Sequence, residues 1–254
     1  MHFFKRAVSF GRDIQRKTTS TSGTIALDAG KTIENAGSKA VSFENLEIPS
    51  GGTLTNSSSG TFSVASMTLG GLVKLNGGDS DSHLLSVDSI VKHSSATADF
   101  DIQTTEFVSI GTATDVNYLT IGGASVSGGV TITDDFTASS ITIGSDNYLA
   151  GAAGKTICVK SYWTDMDDTS DDNFIHNNSI VKIPSDCEDT VYFSGNSKFY
   201  QLIAENLGGK TIDFTGDFTV DGTLTLTGSA TGSLLKIDGT GSITLSSSGQ
   251  RRIP

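Results

Sequence analysis

Apolar residues alternate with Thr, Ser or Asp along most of the chain, in short runs such as Ile212 and Phe214, Phe218 and Val220, Leu224 and Leu226, and Ile243 and Leu245. Period two sends successive side chains to opposite faces of a strand and buries one of them. Gly, Asn or Asp punctuates the runs, and pairs such as Gly70-Gly71, Gly122-Gly123 and Gly208-Gly209 read as corners. β-Sandwich repeats joined by hairpins want strands of about 5–8 residues. A coil of stacked turns wants shorter strands, sharp corners and roughly 20–25 residues per turn. The run lengths therefore predict an all-β fold, a right-handed parallel β-solenoid (β-helix), with β-sandwich repeats as the alternative.

The pattern itself recurs. FENLEIPSGGTLTNSSSGTFSVASMTLG at 43–70 matches FYQLIAENLGGKTIDFTGDFTVDGTLTLTG at 199–228, pairing Phe43 with Phe199, Leu46 with Leu202, Gly60 with Gly216 and Phe62 with Phe218. A third copy places Phe136, Ala138, Ile141 and Ile143 on Phe62, Val64, Met67 and Leu69. The copies lie 74 and 82 residues apart, so residues 21–254 read as a solenoid of about three degenerate repeats with several turns each. In a parallel coil every turn pairs with the next, and the two ends must be capped or docked.

Residues 1–20 suit such a role. Phe3, Phe4, Ala7, Val8, Phe10 and Ile14 sit near helical spacing, which predicts a short capping helix. Lys5, Arg6, Arg12, Arg16 and Lys17 against Asp13 give this segment a net +4, whereas residues 21–250 carry a net −17. Phe3, Phe4, Lys5, Arg6, Phe10, Arg12, Arg16 and Lys17 are accordingly the candidate assembly residues, a basic face meeting an acidic body on a second copy. The same charges interrupt any secretory apolar core. Export without such a signal, assembly inside the cell as virion proteins do, and a chain cut from a longer one all accommodate this.

Composition narrows the function. Ser, Thr and Gly number 35, 32 and 29 of 254 residues, and mean hydropathy is −0.07. An acidic body of pI about 4.6 argues against nucleic acid as a partner. No apolar stretch is long enough to span a bilayer as a helix. Four His and one Trp leave little material for a catalytic centre. Cys158 and Cys187 either close a loop of about 30 residues as one disulfide or remain free thiols.

The sharpest local constellation is Asp165, Asp167, Asp168, Asp171 and Asp172. Clustered carboxylates can hold Ca²⁺ through several oxygens, so calcium is the one cofactor candidate, although a solvated acidic loop has the same composition. Asp99 with Asp101, and Asp186 with Glu188, are the pairs an acid–base enzyme would need on one strand face. Trp163 with Tyr118, Tyr148, Tyr162, Tyr192 and Tyr200 is a thin supply of rings for a carbohydrate groove. Thr-x-Thr pairs at Thr53-Thr55, Thr131-Thr133 and Thr223-Thr225 are too scattered to predict a regular hydroxyl ladder.

Tyr162-Trp163, Thr190-Val191-Tyr192-Phe193-Ser194-Gly195, Lys198-Phe199-Tyr200-Gln201-Leu202 and Gly222-Thr223-Leu224-Thr225-Leu226 occur in that order. This order resembles the repeat of large bacterial surface and adhesin-like β-solenoid proteins, with a tryptophan turn, an F-x-G corner, an F-x-N-L strand and a G-x-L-x-L strand. It covers residues 160–248 well and 24–144 loosely. The resemblance implies a non-catalytic solenoid, extracellular or at the cell surface; open turn edges that pair head to tail would build a structural or adhesive filament from copies of the chain, and a cell-surface glycan is a further candidate partner. A virion fibre or decoration protein binding host glycan, and a solenoid polysaccharide-degrading enzyme, are the alternatives.

Overall fold

A computed structural model of the chain describes residues 2–4, 8–9, 19–35, 40–56, 60–75, 83–92, 99–102, 107–122, 129–166, 173–205, 207–228, 234–246 and 250–252. The described strands form one parallel sheet wound into a β-solenoid of about eight turns. Every strand pairing is parallel, which overturns the β-sandwich alternative, since that fold needs antiparallel hairpins.

One pair of turns shows the construction. Val41–Ile48 pairs residue by residue with Phe62–Leu69, and Thr53–Asn56 with Leu72–Leu75. Along the long strand Val41, Phe43, Leu46 and Ile48 point inward, but Glu44 and Asn45 stand outside in succession. Phe62–Leu69 repeats the pattern, with Ala65 and Ser66 outside. Two outward residues in a row break the alternation and bend the strand over a corner, so one long strand supplies two sides and the short strand a third. Register advances 21 residues from Val41 to Phe62 and 22 from Leu202 to Leu224. It advances 24 from Cys158 to Lys182 and 30 from Tyr162 to Tyr192, so six extra residues lie between Lys182 and Tyr192.

Inward residues line up in columns along the axis. One runs Val41, Phe62, Leu85, Val108, Val130, Leu149 and Phe174. Another holds Asn35, Asn56 and Leu75 and, further along the axis, Ile121, Ile143 and Asp165, apolar in the middle and polar at both ends. Each fully buried Leu, Ile or Phe contributes roughly 1.5–3 kcal/mol, so the columns, not the surface, hold the turns together. Phe62, Phe136 and Phe218, matched in the sequence repeat, are all buried, but the register puts Phe62 in the column of Val41 and Leu85 and Phe136 in that of Met67, Ile90 and Ala113.

Glycine is required where adjacent turns nearly touch. A Cβ on Gly216 (φ +152°) would lie 1.9 Å from the Gly195 carbonyl oxygen, and one on Gly241 1.9 Å from that of Gly216. No other residue fits such a corner.

The N-terminal helix is not formed at the described positions. His2–Phe4 and Val8–Ser9 are strands, paired in parallel with Ile25–Leu27 and Ile33–Glu34. The edge of a turn carries a row of unpaired N–H and C=O groups. Another strand satisfies that row directly, whereas a helix laid over it cannot. Phe3 and Phe4 lie in the first of these strands, and Lys5, Arg6, Phe10, Arg12, Arg16 and Lys17 lie outside the described residues. Among the described residues no helix is long and apolar enough to cross a membrane.

Candidate functional site

Outward residues also form columns, and one side of the solenoid has a distinctive set. Asp99, Tyr118, Ser140, Tyr162, Tyr192 and Asp213 occupy successive turns in register. Two residues further along each strand, Thr120, Thr142, Thr164, Ser194 and Thr215 make a parallel column with one hydroxyl per turn. Tyr118, Tyr162 and Tyr192 are 51%, 47% and 40% exposed, although large apolar surfaces are usually turned inward. The Tyr162 and Tyr192 rings are 5.0 Å apart with planes 10° from parallel.

The support beneath them is aromatic as well. Trp163 and Phe193 follow the two tyrosines in sequence, so they fall on the inner face, where their rings stack at 6.2 Å. Phe174 and Phe199 meet the Trp163 ring edge-on at 4.8 and 5.3 Å. These contacts are the favoured geometries for aromatic pairs and fix the strands from which Tyr162 and Tyr192 project.

Asp165 lies inside, buried on the same phase as Trp163. Trp163 Nε1 donates to Ser197 Oγ at 2.9 Å, and Ser197 Oγ donates to Asp165 Oδ2 at 2.8 Å. Asn173 Nδ2 donates to Asp165 Oδ1 at 3.2 Å. Both carboxylate oxygens therefore serve an interior polar network. The other calcium candidates, Asp167, Asp168, Asp171 and Asp172, lie outside the described residues.

The acidic pairs are separated in use. Asp99 and Asp101 sit in one strand at the end of the tyrosine side, where Asp99 Oδ1 accepts from Asn117 Nδ2 at 3.4 Å. Asp186 is held by Lys160, whose Nζ lies 2.9 Å from both Asp186 Oδ2 and Asp115 Oδ1. The Lys160 hydrogen bond holds the Asp186 carboxyl below its ordinary range. Burial opposes the charge on Lys160, but its bonds to Asp186 and Asp115 outweigh that and raise it. Glu188 contributes its backbone N–H, which donates to the Lys160 carbonyl at 2.9 Å. Cys158 and Cys187 are free thiols, both pushed up by burial.

A second cluster gathers at another corner. Asp221 Oδ2 lies 3.1 Å from Lys198 Nζ and 3.5 Å from His176 Nε2, and the His176 ring stacks on Tyr200 at 5.8 Å. Burial alone would raise the Asp221 carboxyl, but hydrogen bonds from Lys198 and Ser246 hold it below the usual carboxylate range. His176 Nδ1 accepts from the Asn178 backbone N–H at 3.0 Å, which directs the ring toward Asp221. The cluster ties the turn carrying His176 to the turn carrying Asp221.

The tyrosine side was not visible as a unit in the sequence. Its members lie 44 and 30 residues apart, an irregular spacing that reveals a column only once the pairing is known. Comparisons with protein-family models, with curated proteins and with solved structures give no match to this chain.

Proposed function

We propose that the chain is a non-catalytic structural or adhesive β-solenoid, displayed at a cell or virion surface and assembling end to end into a filament. One observation carries this reading: a single parallel ladder runs unbroken from His2–Phe4 to Gln250–Arg252, enclosing continuous apolar columns. Such a stack is stiff along its axis, because each turn is bonded to the next through the backbone and packed against it through the core. Each end of the described stack leaves strands with one neighbour, as His2–Phe4 and Ser242–Leu245 do. Those edges can pair with a second copy, and the basic segment at 1–20 meeting an acidic body favours that contact. Of the carboxyls an acid–base enzyme would recruit, Asp186 is held by Lys160 and Asp99 accepts from Asn117.

Negative-stain microscopy of the purified chain at low and high salt tests the proposal. Rods that join end to end at low salt and separate at high salt are expected, and deletion of residues 1–20 should abolish the joining. Compact single particles under every condition, or joining that survives the deletion, would overturn it.

A further inference from the structure

Resting on the displayed-scaffold reading above, we infer that the side bearing Tyr118, Ser140, Tyr162 and Tyr192 is a binding face for a neutral, extended glycan. The tyrosines are outward, about half exposed and in one column. At 5.0 Å with near-parallel planes, the Tyr162 and Tyr192 rings are too close to lie side by side in one plane. They stack with an offset, and each stays nearly half exposed, which leaves a strip of aromatic surface open to solvent. A pyranose ring offers a C–H surface that packs on such a strip and a rim of hydroxyls that needs partners.

The neighbouring column supplies those partners. Thr120, Thr142, Thr164, Ser194 and Thr215 carry one hydroxyl per turn, about 7 Å from the tyrosine column by strand geometry. Ser140 is the small residue between Tyr118 and Tyr162, and it is only 7% exposed. It leaves the two rings one turn further apart than Tyr162 and Tyr192, about 10 Å between backbones, and forms the floor of that interval.

Charge selects the class. Asp99 and Asp213 flank the tyrosine run in register, and the body as a whole carries a strong negative excess. Carboxylates accept hydrogen bonds from sugar hydroxyls but repel sulfated or uronic chains. The elements repeat along a straight line, turn after turn, and so suit a linear polymer lying parallel to the axis.

Retention of the full chain on cellulose and chitin, and retardation in gels containing hydroxyethylcellulose, would test this, with alginate and heparin as anionic comparisons. Wild type should be retained on at least one neutral polymer and on neither anionic one, and high salt should leave retention unchanged. Tyr162→Ala with Tyr192→Ala should weaken binding about tenfold or more, as removal of central aromatic anchors does. Adding Tyr118→Ala should abolish it, and Tyr192→Phe should keep most of it. These side chains point outward, so circular dichroism should show every variant folded, and Tyr200→Ala, on another side, should bind like wild type. Failure to bind any neutral polymer, preference for the anionic ones, or undiminished binding by the triple variant would overturn the inference. So would a tyrosine-dependent dimer, or tyrosine-dependent depression of ice growth, without glycan retention. Salt-sensitive rods that bind no glycan would sink this inference alone, whereas glycan binding by compact single particles would sink the filament reading.

Discussion

Ser197 donates its hydroxyl proton to the Asp165 carboxylate at 2.8 Å in the interior while accepting the indole proton of Trp163 at 2.9 Å. One hydroxyl thus satisfies a buried donor and a buried carboxylate two residues apart on one strand, directly behind the tyrosine side. Ser197→Ala removes that partner from both, and an indole N–H left buried without its acceptor costs about 1–3 kcal/mol. The variant should lower the denaturant midpoint by the equivalent of about 2 kcal/mol or more, while Ser145→Ala at an exposed turn should stay within about 0.5 kcal/mol of wild type. Equal midpoints for the two variants would show that the network contributes nothing.

Corner glycines should divide into two classes. Gly154 has φ +71° and open space where a Cβ would stand, so Gly154→Ala carries only the left-handed backbone cost of about 1–2 kcal/mol. Gly216 adds a collision with the backbone of the adjacent turn, and Gly216→Ala should cost about 3 kcal/mol or more. Thermal midpoints measured side by side decide this, and a Gly154 variant as damaged as the Gly216 variant would contradict the close approach.

Acid should loosen the solenoid in a defined window. Hydrogen bonds from Lys155 to Asp134, from Lys160 to Asp186 and from Lys236 to Asp238 hold these carboxyls below their ordinary value of 3.8. The folded chain therefore binds fewer protons than the unfolded chain as pH falls below about 4, and the stabilisation is lost through the folded pKa values. Lys155, Lys160, Lys210 and Lys236 are raised above 10.5, so their share is complete below that pH and fades only in stronger alkali. The thermal midpoint should be flat from about pH 5 to 9 and fall below 4, and Lys160→Met should make the acid limb shallower. An acid limb of unchanged slope in that variant would remove Lys160 from the account.

The inward columns are legible from the amino acids because period two is a local property. Phe62 and Val64, or Phe218 and Val220, declare a buried face without reference to the rest of the chain. Register is not local. Tyr118, Tyr162 and Tyr192 share a column only because the turn between the last two is longer than its neighbours, and the same is true of the hydroxyls at Thr164 and Ser194. Asp165 is the instructive intermediate. Read with Asp167, Asp168, Asp171 and Asp172 it belongs to an acidic loop, yet its parity with Trp163 places it on the inner face, and that parity was there to be seen. The N-terminal strands hide for another reason: Phe3, Phe4, Ala7 and Val8 fit a helical spacing as well as a strand, and the open edge of the next turn decides between them.

Because each coil of this chain touches only the coils before and after it, protection depends on address. The amide of Ile141 can reach deuterium only after many coils have come undone, whereas that of Lys236 waits for the last one or two. Damage near a terminus should therefore unravel a little of the molecule and leave the middle standing, a tolerance that a globular core, which melts as one body, does not have.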